Sequence, residues 1–188
     1  NNKVNPVEDL ETIKTEIALS DIETIQKKLE KSKKKLLSQK EIEILEKSLE
    51  VLNNVSELNS LDHSSKAFLS QIGLLSLKPK IIVCNVDEST LKNGNKHTLN
   101  ITKTYPREKV IIICADIEDQ LSGLTEDEKS KFMTEIGLEK MGISKLIKEG
   151  YDLLGLETFF TSGKEESRAW TVRKNTTAPI AAGVIHTD

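Results

Sequence analysis

"IIVCNVDEST", Ile81 to Thr90, opens as an apolar run and then breaks abruptly into polar residues. A short, continuous apolar run is the signature of a strand covered on both faces of a parallel sheet. A second run of the same kind, "KVIIIC", spans Lys109 to Cys114. Before and after them, Ser65 to Ile72 and Asp127 to Glu135 read as helices, the latter entered through Thr125 with Glu128 three residues on, a capping box. Strands alternating with helices make this stretch α/β, roughly His63 to Leu154. Ligands of such sheets sit outside the carboxyl ends of the strands, where loops converge and backbone groups are free. If the two strands are neighbours, Asn85 to Glu88 and Ala115 to Glu118 face one ligand from adjacent loops.

An asparagine amide offers both a donor and an acceptor, which suits a purine edge, and small residues let a base lie flat against backbone. The alternative is a turn asparagine that binds its own backbone. Residue types alone leave both readings open.

Upstream of about Leu61 the sequence has no glycine and keeps its apolar residues at helical spacing. Leu10, Ile13 and Ile17 form one set, Ile22, Ile25 and Leu29 a second, and Ile42, Leu45, Leu49 and Leu52 a third. This predicts an antiparallel helical hairpin, with Pro6 and the acids Glu8, Asp9 and Glu11 at its start and a turn between Lys31 and Gln39. In the stretch from Lys27 to Lys35, six lysines face only Glu30. Either this basic tip touches RNA or a ribosome, or it is a solvated helix end. Downstream, "LETFFTS" and "SRAWTVRK" flank Gly163 as a β-hairpin, followed by a helix-like "APIAAGVIH". Phe159 and Trp170 are expected in its core, with a platform for RNA bases as the alternative, and Arg168, Arg173 and Lys174 on its exposed side. His186 reads as packed or capping.

Composition narrows the remaining classes. The chain has 188 residues, 37% hydrophobic, and a formal charge of −3, which gives no general reason to expect nucleic acid. No apolar run approaches the roughly 18–20 residues that span a bilayer, no secretion signal opens the chain, and a cytoplasmic location is expected. The two cysteines, Cys84 and Cys114, each follow a β-branched run and read as reduced, buried thiols; a redox-sensitive pair on neighbouring strands is the alternative. No His or Cys spacing suits a zinc site.

The motif "NVDE" at Asn85 to Glu88 resembles the altered base-recognition motif of the Obg-like ATPase family, usually called YchF. Ordinary GTPases end this motif in aspartate, whereas the family carries Asn-x-x-Glu and is associated with ATP over GTP. "NPVEDLETIKTEIALSDIETIQKKLEK", "IGLLSLKPKIIVCNVDE", "FFTSG", "RAWTVRK" and "APIAAGVIHTD" resemble the family in order, from Val4 onward. The resemblance implies three parts: a coiled-coil arm over 1–62, the later half of the nucleotide-binding domain over 63–155, and the start of a ubiquitin-like β-grasp (TGS) domain over 156–188. It implies that Asn85 contacts adenine, that Val86 lines its plane, and that Cys114, Ala115 and Asp116 form the second base-side loop. Glu88 fills its motif position without an assigned base contact. ATP with Mg2+, and a ribosome or RNA partner, are the ligands it implies, with no membrane. One departure is plain: the sequence contains no G-x-x-x-x-G-K-[ST] phosphate loop. The phosphate and magnesium ligands are therefore expected upstream of these residues, or the chain is a fragment that does not hydrolyse ATP alone.

Overall fold

A computed structural model of the chain describes residues 4–32, 37–54 and 58–185. Packing divides it into two compact units, one up to Lys78 and one from Pro79. Composition changes near residue 62, but the segment from 58 to 78 packs with the helices that precede it.

The first unit contains α1 (Pro6–Ser32), α2 (Gln39–Asn53), a 3-10 turn (Leu58–Ser60) and α3 (His63–Gln71). α1 begins at the expected proline with Glu8 and Asp9 in its first turn. α2 begins with a reciprocal box: the Glu41 N–H donates to the Ser38 hydroxyl, and the Ser38 N–H donates to the Glu41 carboxylate at 2.7 Å. Ile25, Leu45, Leu52, Leu58, Leu61, Leu69 and Leu74 form the core, with Ile22, Leu29 and Leu49 against it. The second stripe and, apart from Ile42, the third are thus the seam of the hairpin. The first stripe is not, because Leu10, Ile13 and Ile17 lie outside this core and Ile13 is 50% exposed. Length explains it: α1 has 27 residues and α2 only 15, so at about 1.5 Å per residue α2 reaches only part of the way along α1. The expected turn includes Lys33, Lys34 and Lys35, which lie outside the described residues.

A polar side chain completes this unit. Asp21 of α1 is 1% exposed and its carboxylate accepts from the Leu75 N–H at 2.7 Å, the Ser76 N–H at 2.8 Å and the Ser76 hydroxyl at 2.5 Å. One helix side chain therefore satisfies the backbone of the turn five residues ahead of the first strand.

The second unit runs β1 (Ile81–Asn85), a 3-10 turn (Glu88–Thr90), α4 (Lys96–Thr104), β2 (Lys109–Ile113), α5 (Ala115–Ser122), α6 (Glu126–Ile136), α7 (Gly142–Leu154), β3 (Leu156–Ser162), β4 (Ser167–Arg173) and α8 (Ala178–Ile185). β1 and β2 pair in parallel, Ile81 opposite Lys109 through Asn85 opposite Ile113, with α4 as the crossover. The α/β class is as expected. The burial is not: Val83 is 41% exposed, because each strand of this sheet has a single neighbour among the described residues. α6 carries the expected box, with Glu128 accepting from the Thr125 N–H at 2.8 Å; these bonds hold its carboxyl below the usual range. β3 and β4 form the expected antiparallel hairpin, Leu156 opposite Arg173 through Ser162 opposite Ser167. His186 lies outside the described residues.

One expectation needs correction. Ala115 to Glu118 are not a loop; Cys114 ends the extended segment and Ala115 opens α5. The acids Asp116 and Glu118 then stand in a first helical turn, where the helix dipole favours them.

Candidate functional site

Parallel register brings Asn85 and Ile113 side by side at the carboxyl ends of β1 and β2. The Val86 N–H donates to the Ile113 carbonyl at 2.9 Å, which carries the pairing one step past the strand. Beyond it, the Ala115 N–H donates to Asn85 Oδ1 at 2.9 Å. Because a backbone N–H is only a donor, this bond fixes which way the amide is turned. The Asn85 Nδ2 is left as a double donor, with no acceptor among the described residues. This asparagine therefore does not bind its own backbone turn, as a turn residue would; it bridges to the next strand's helix.

The other candidates separate by burial. Val86 is half-buried, while Glu88 is exposed on the 3-10 turn that follows, its carbonyl accepting from the Leu91 N–H. Ala115 and Asp116 are exposed in the first turn of α5. Cys114 is buried at 2% and packs with Ile117 and Leu121, so it lies in the core beneath the site. The thiols are not cross-strand partners, since Cys84 stands opposite Ile112 and Cys114 lies past the paired register. Burial also pushes the Cys84 thiol up, which reduces thiolate and with it redox reactivity.

Two residues that no motif singles out complete the junction. Glu118 Oε1 accepts from the Gly142 N–H at 2.5 Å, and Glu118 Oε2 is buried without a hydrogen-bond partner among the described residues. Gly142 has no room for a side chain: a Cβ would stand 2.7 Å from Ile113 Cγ2 and 2.8 Å from Glu118 Oε1. A glycine at the start of a helix is the available sequence signal, and it is weak.

The β3–β4 hairpin places Phe159 opposite Trp170, but both are only half-buried, and Val172 is the buried residue of the hairpin. The Trp170 indole N–H donates to the Thr161 hydroxyl at 2.9 Å, and the Arg168 guanidinium lies 4.2 Å from the ring centroid. The neighbouring Phe160 is 78% exposed instead. Lys174 and Arg173 are exposed, with Lys174 paired to Asp152. On the arm, Lys27 is paired with Glu23, which offsets part of the basic charge there.

The family model YchF-GTPase_C, described as a protein of unknown function (DUF933), matches residues 156–188. The Ribosome-binding ATPase YchF of Escherichia coli O157:H7 is 38% identical over 99% of this chain and 53% of its own length. That of Bacillus subtilis (strain 168) is also 38% identical, over 99% of this chain and 54% of its own. Among solved structures, the Schizosaccharomyces pombe YchF GTPase superposes with a TM-score of 0.84 at 32% identity, covering 100% of this chain and 54% of that one. The chain thus spans about half the length of the curated relatives it matches, and along its length it is similar to them in sequence and to the fission-yeast protein in fold.

Proposed function

We propose that this chain, YchF-like from end to end, supplies the base-reading part of an ATP site to a cytoplasmic, ribosome-associated nucleotide hydrolase. The observation that carries this reading is the Ala115 N–H bond to Asn85 Oδ1, which turns the Asn85 Nδ2 donors toward no protein acceptor. A purine offers N7 as an acceptor for such a donor, and half-buried Val86 offers an apolar contact to the base plane. The motif's last residue supports ATP over GTP: Glu88 stands where an aspartate would pair with the guanine edge, and it sits on a separate turn. The relatives' names divide on this point, ATPase for the bacterial proteins and GTPase for the fission-yeast one.

Phosphoryl transfer is positioning and charge stabilisation at the phosphates. These residues contain no phosphate loop, and among the described residues no cluster of three or more His, Cys, Asp or Glu could hold a metal ion. The part we propose for this chain is to bind and orient the base.

Replacing Asn85 with Ala removes the donor and one hydrogen bond worth about 1.5 kcal/mol, so ATP affinity is expected to fall about tenfold. A competition titration against a fluorescent adenine nucleotide reads this, with inorganic tripolyphosphate as the control that carries no base. Unchanged ATP affinity in Asn85→Ala would sink the base-site reading.

A second reading concerns the partner. α1 outruns α2, and Leu10, Ile13 and Ile17 of α1 lie outside the core of their unit. With relatives named ribosome-binding, we take the arm as the contact to the ribosome and the nucleotide as the switch. Cosedimentation with ribosomes should then differ between ATP-bound and nucleotide-free protein, and removal of the arm should abolish the difference. Equal pelleting of the arm-deleted and intact proteins in both states rejects this role.

A further inference from the structure

We propose that Glu118 is a positioning residue for the base site: it clamps the first turn of α7 to the first turn of α5, so that the Ala115 N–H stays where it orients the Asn85 amide. This rests on the base-site reading above and extends it to a residue outside the recognition motif.

The argument begins with an incomplete helix start. The first N–H groups of any α-helix have no partner inside it. At α7 the N-cap residue is Met141, whose side chain makes no capping bond. Glu118, 24 residues earlier in the chain, takes this place by accepting from the Gly142 N–H at 2.5 Å. The same turn of α5 carries both functions, since Ala115 and Glu118 are three residues apart and the Glu118 N–H donates to the Cys114 carbonyl at 3.0 Å. Moving the Glu118 side chain therefore moves the turn from which the Ala115 N–H emerges.

Close packing closes the circuit. Gly142 sits against Ile113 so tightly that a Cβ would approach Ile113 Cγ2 to 2.7 Å. Ile113 is the register partner of Asn85, and its carbonyl holds the Val86 N–H. The ends of both strands and the starts of both helices thus meet at one point, and the Glu118 carboxylate is the polar link between the helices. That link is not tuned for stability alone. Glu118 Oε2 is buried without a donor among the described residues, a cost that an ordinary cap at position 141 would avoid. Local rules are broken in this way where geometry serves a site.

The test compares Glu118→Ala, Glu118→Gln and Asn85→Ala in protein that includes the upstream part expected to carry the phosphate loop, titrated with ATP, GTP and inorganic tripolyphosphate, with hydrogen exchange of the Ala115 amide measured alongside. For Glu118→Ala, ATP affinity is expected to fall about tenfold while tripolyphosphate binding stays within about twofold, and the Ala115 amide to exchange faster while that of Ile111 does not. Glu118→Gln keeps Oε1 as acceptor and is expected to restore ATP affinity to within about threefold of the parent. Should Glu118→Ala fail to fold, Glu118→Asp, which keeps the charge but shortens the reach to the Gly142 N–H by one methylene, is expected to show the same selective loss. Equal losses for ATP and tripolyphosphate, or unchanged ATP affinity with a protected Ala115 amide, overturn the proposal. If Asn85→Ala weakens ATP and Glu118→Ala does not, the clamp fails and the base site stands. If neither does, both fall together.

Discussion

Asp21→Ala is expected to destabilise the helical unit by about 4 kcal/mol. The carboxylate is 1% exposed and holds three donors, the N–H groups of Leu75 and Ser76 and the Ser76 hydroxyl. Removing it leaves the Leu75 and Ser76 N–H groups without their acceptor. Each unsatisfied group costs about 1–3 kcal/mol, and no side chain of the turn replaces the acceptor. Asn rescues only part of the site: its oxygen still accepts from the Leu75 N–H, but its NH2 meets the Ser76 N–H with another donor, so Asp21→Asn should lose about half as much as Asp21→Ala. Ser76→Ala removes only the hydroxyl bond and is expected to cost about 1 kcal/mol. Urea denaturation followed by helical circular dichroism orders the three variants. A loss under about 1 kcal/mol for Asp21→Ala would mean that water replaces the carboxylate and that the latch contributes little.

The same buried aspartate shows where sequence reading stops. In the sequence Asp21 is one acid among many on a charged helix, and nothing in its neighbours signals burial; its partners come from 54 and 55 residues away. Local signals were legible where one residue type decides the outcome. The β-branched runs gave β1 and β2, Thr125 with Glu128 gave the start of α6, and Ser167 to Arg173 gave β4. α4 was not legible, since "KHTLNITKT" mixes β-branched residues with an apolar pair that points two ways: Leu99 is 66% exposed and Ile101 1%. α5 was missed because Cys114 provides no side-chain cap to announce it, and α7 because Gly142 and Gly150 weaken its helical pattern. At the site, the sequence brings Asn85 and Ala115 to the same sheet edge once the strands are taken as neighbours. Their direct bond depends on register, and the Glu118–Gly142 contact on tertiary packing, which no spacing encodes.

Leu121→Ala is expected to cost about 3 kcal/mol, because a fully buried leucine leaves a cavity that its neighbours fill only in part. Leu121 packs with Cys114 and Ile117, and Leu91, Phe132 and Met141 lie against the cluster. These are the residues beneath the site: Leu91 follows the 3-10 turn that begins at Glu88, and Met141 precedes α7. α5 has only 8 residues, too few to hold a helix in water without packing. Its apolar face therefore keeps Ala115 in place as much as the polar clamp does, but the two act differently. A cavity lowers the population of folded protein and leaves the hydrogen bonds of the folded state intact. At low temperature, where the variant is still folded, ATP affinity should stay within about twofold of the parent even though the midpoint of thermal unfolding has dropped by several degrees, as about 3 kcal/mol implies. Glu118→Ala should show the reverse, a selective loss of affinity with a smaller loss of stability. Measuring both quantities on both variants separates support of the fold from positioning of the base. If Leu121→Ala loses ATP affinity about tenfold while still folded, then core packing rather than the carboxylate clamp sets the geometry of Asn85.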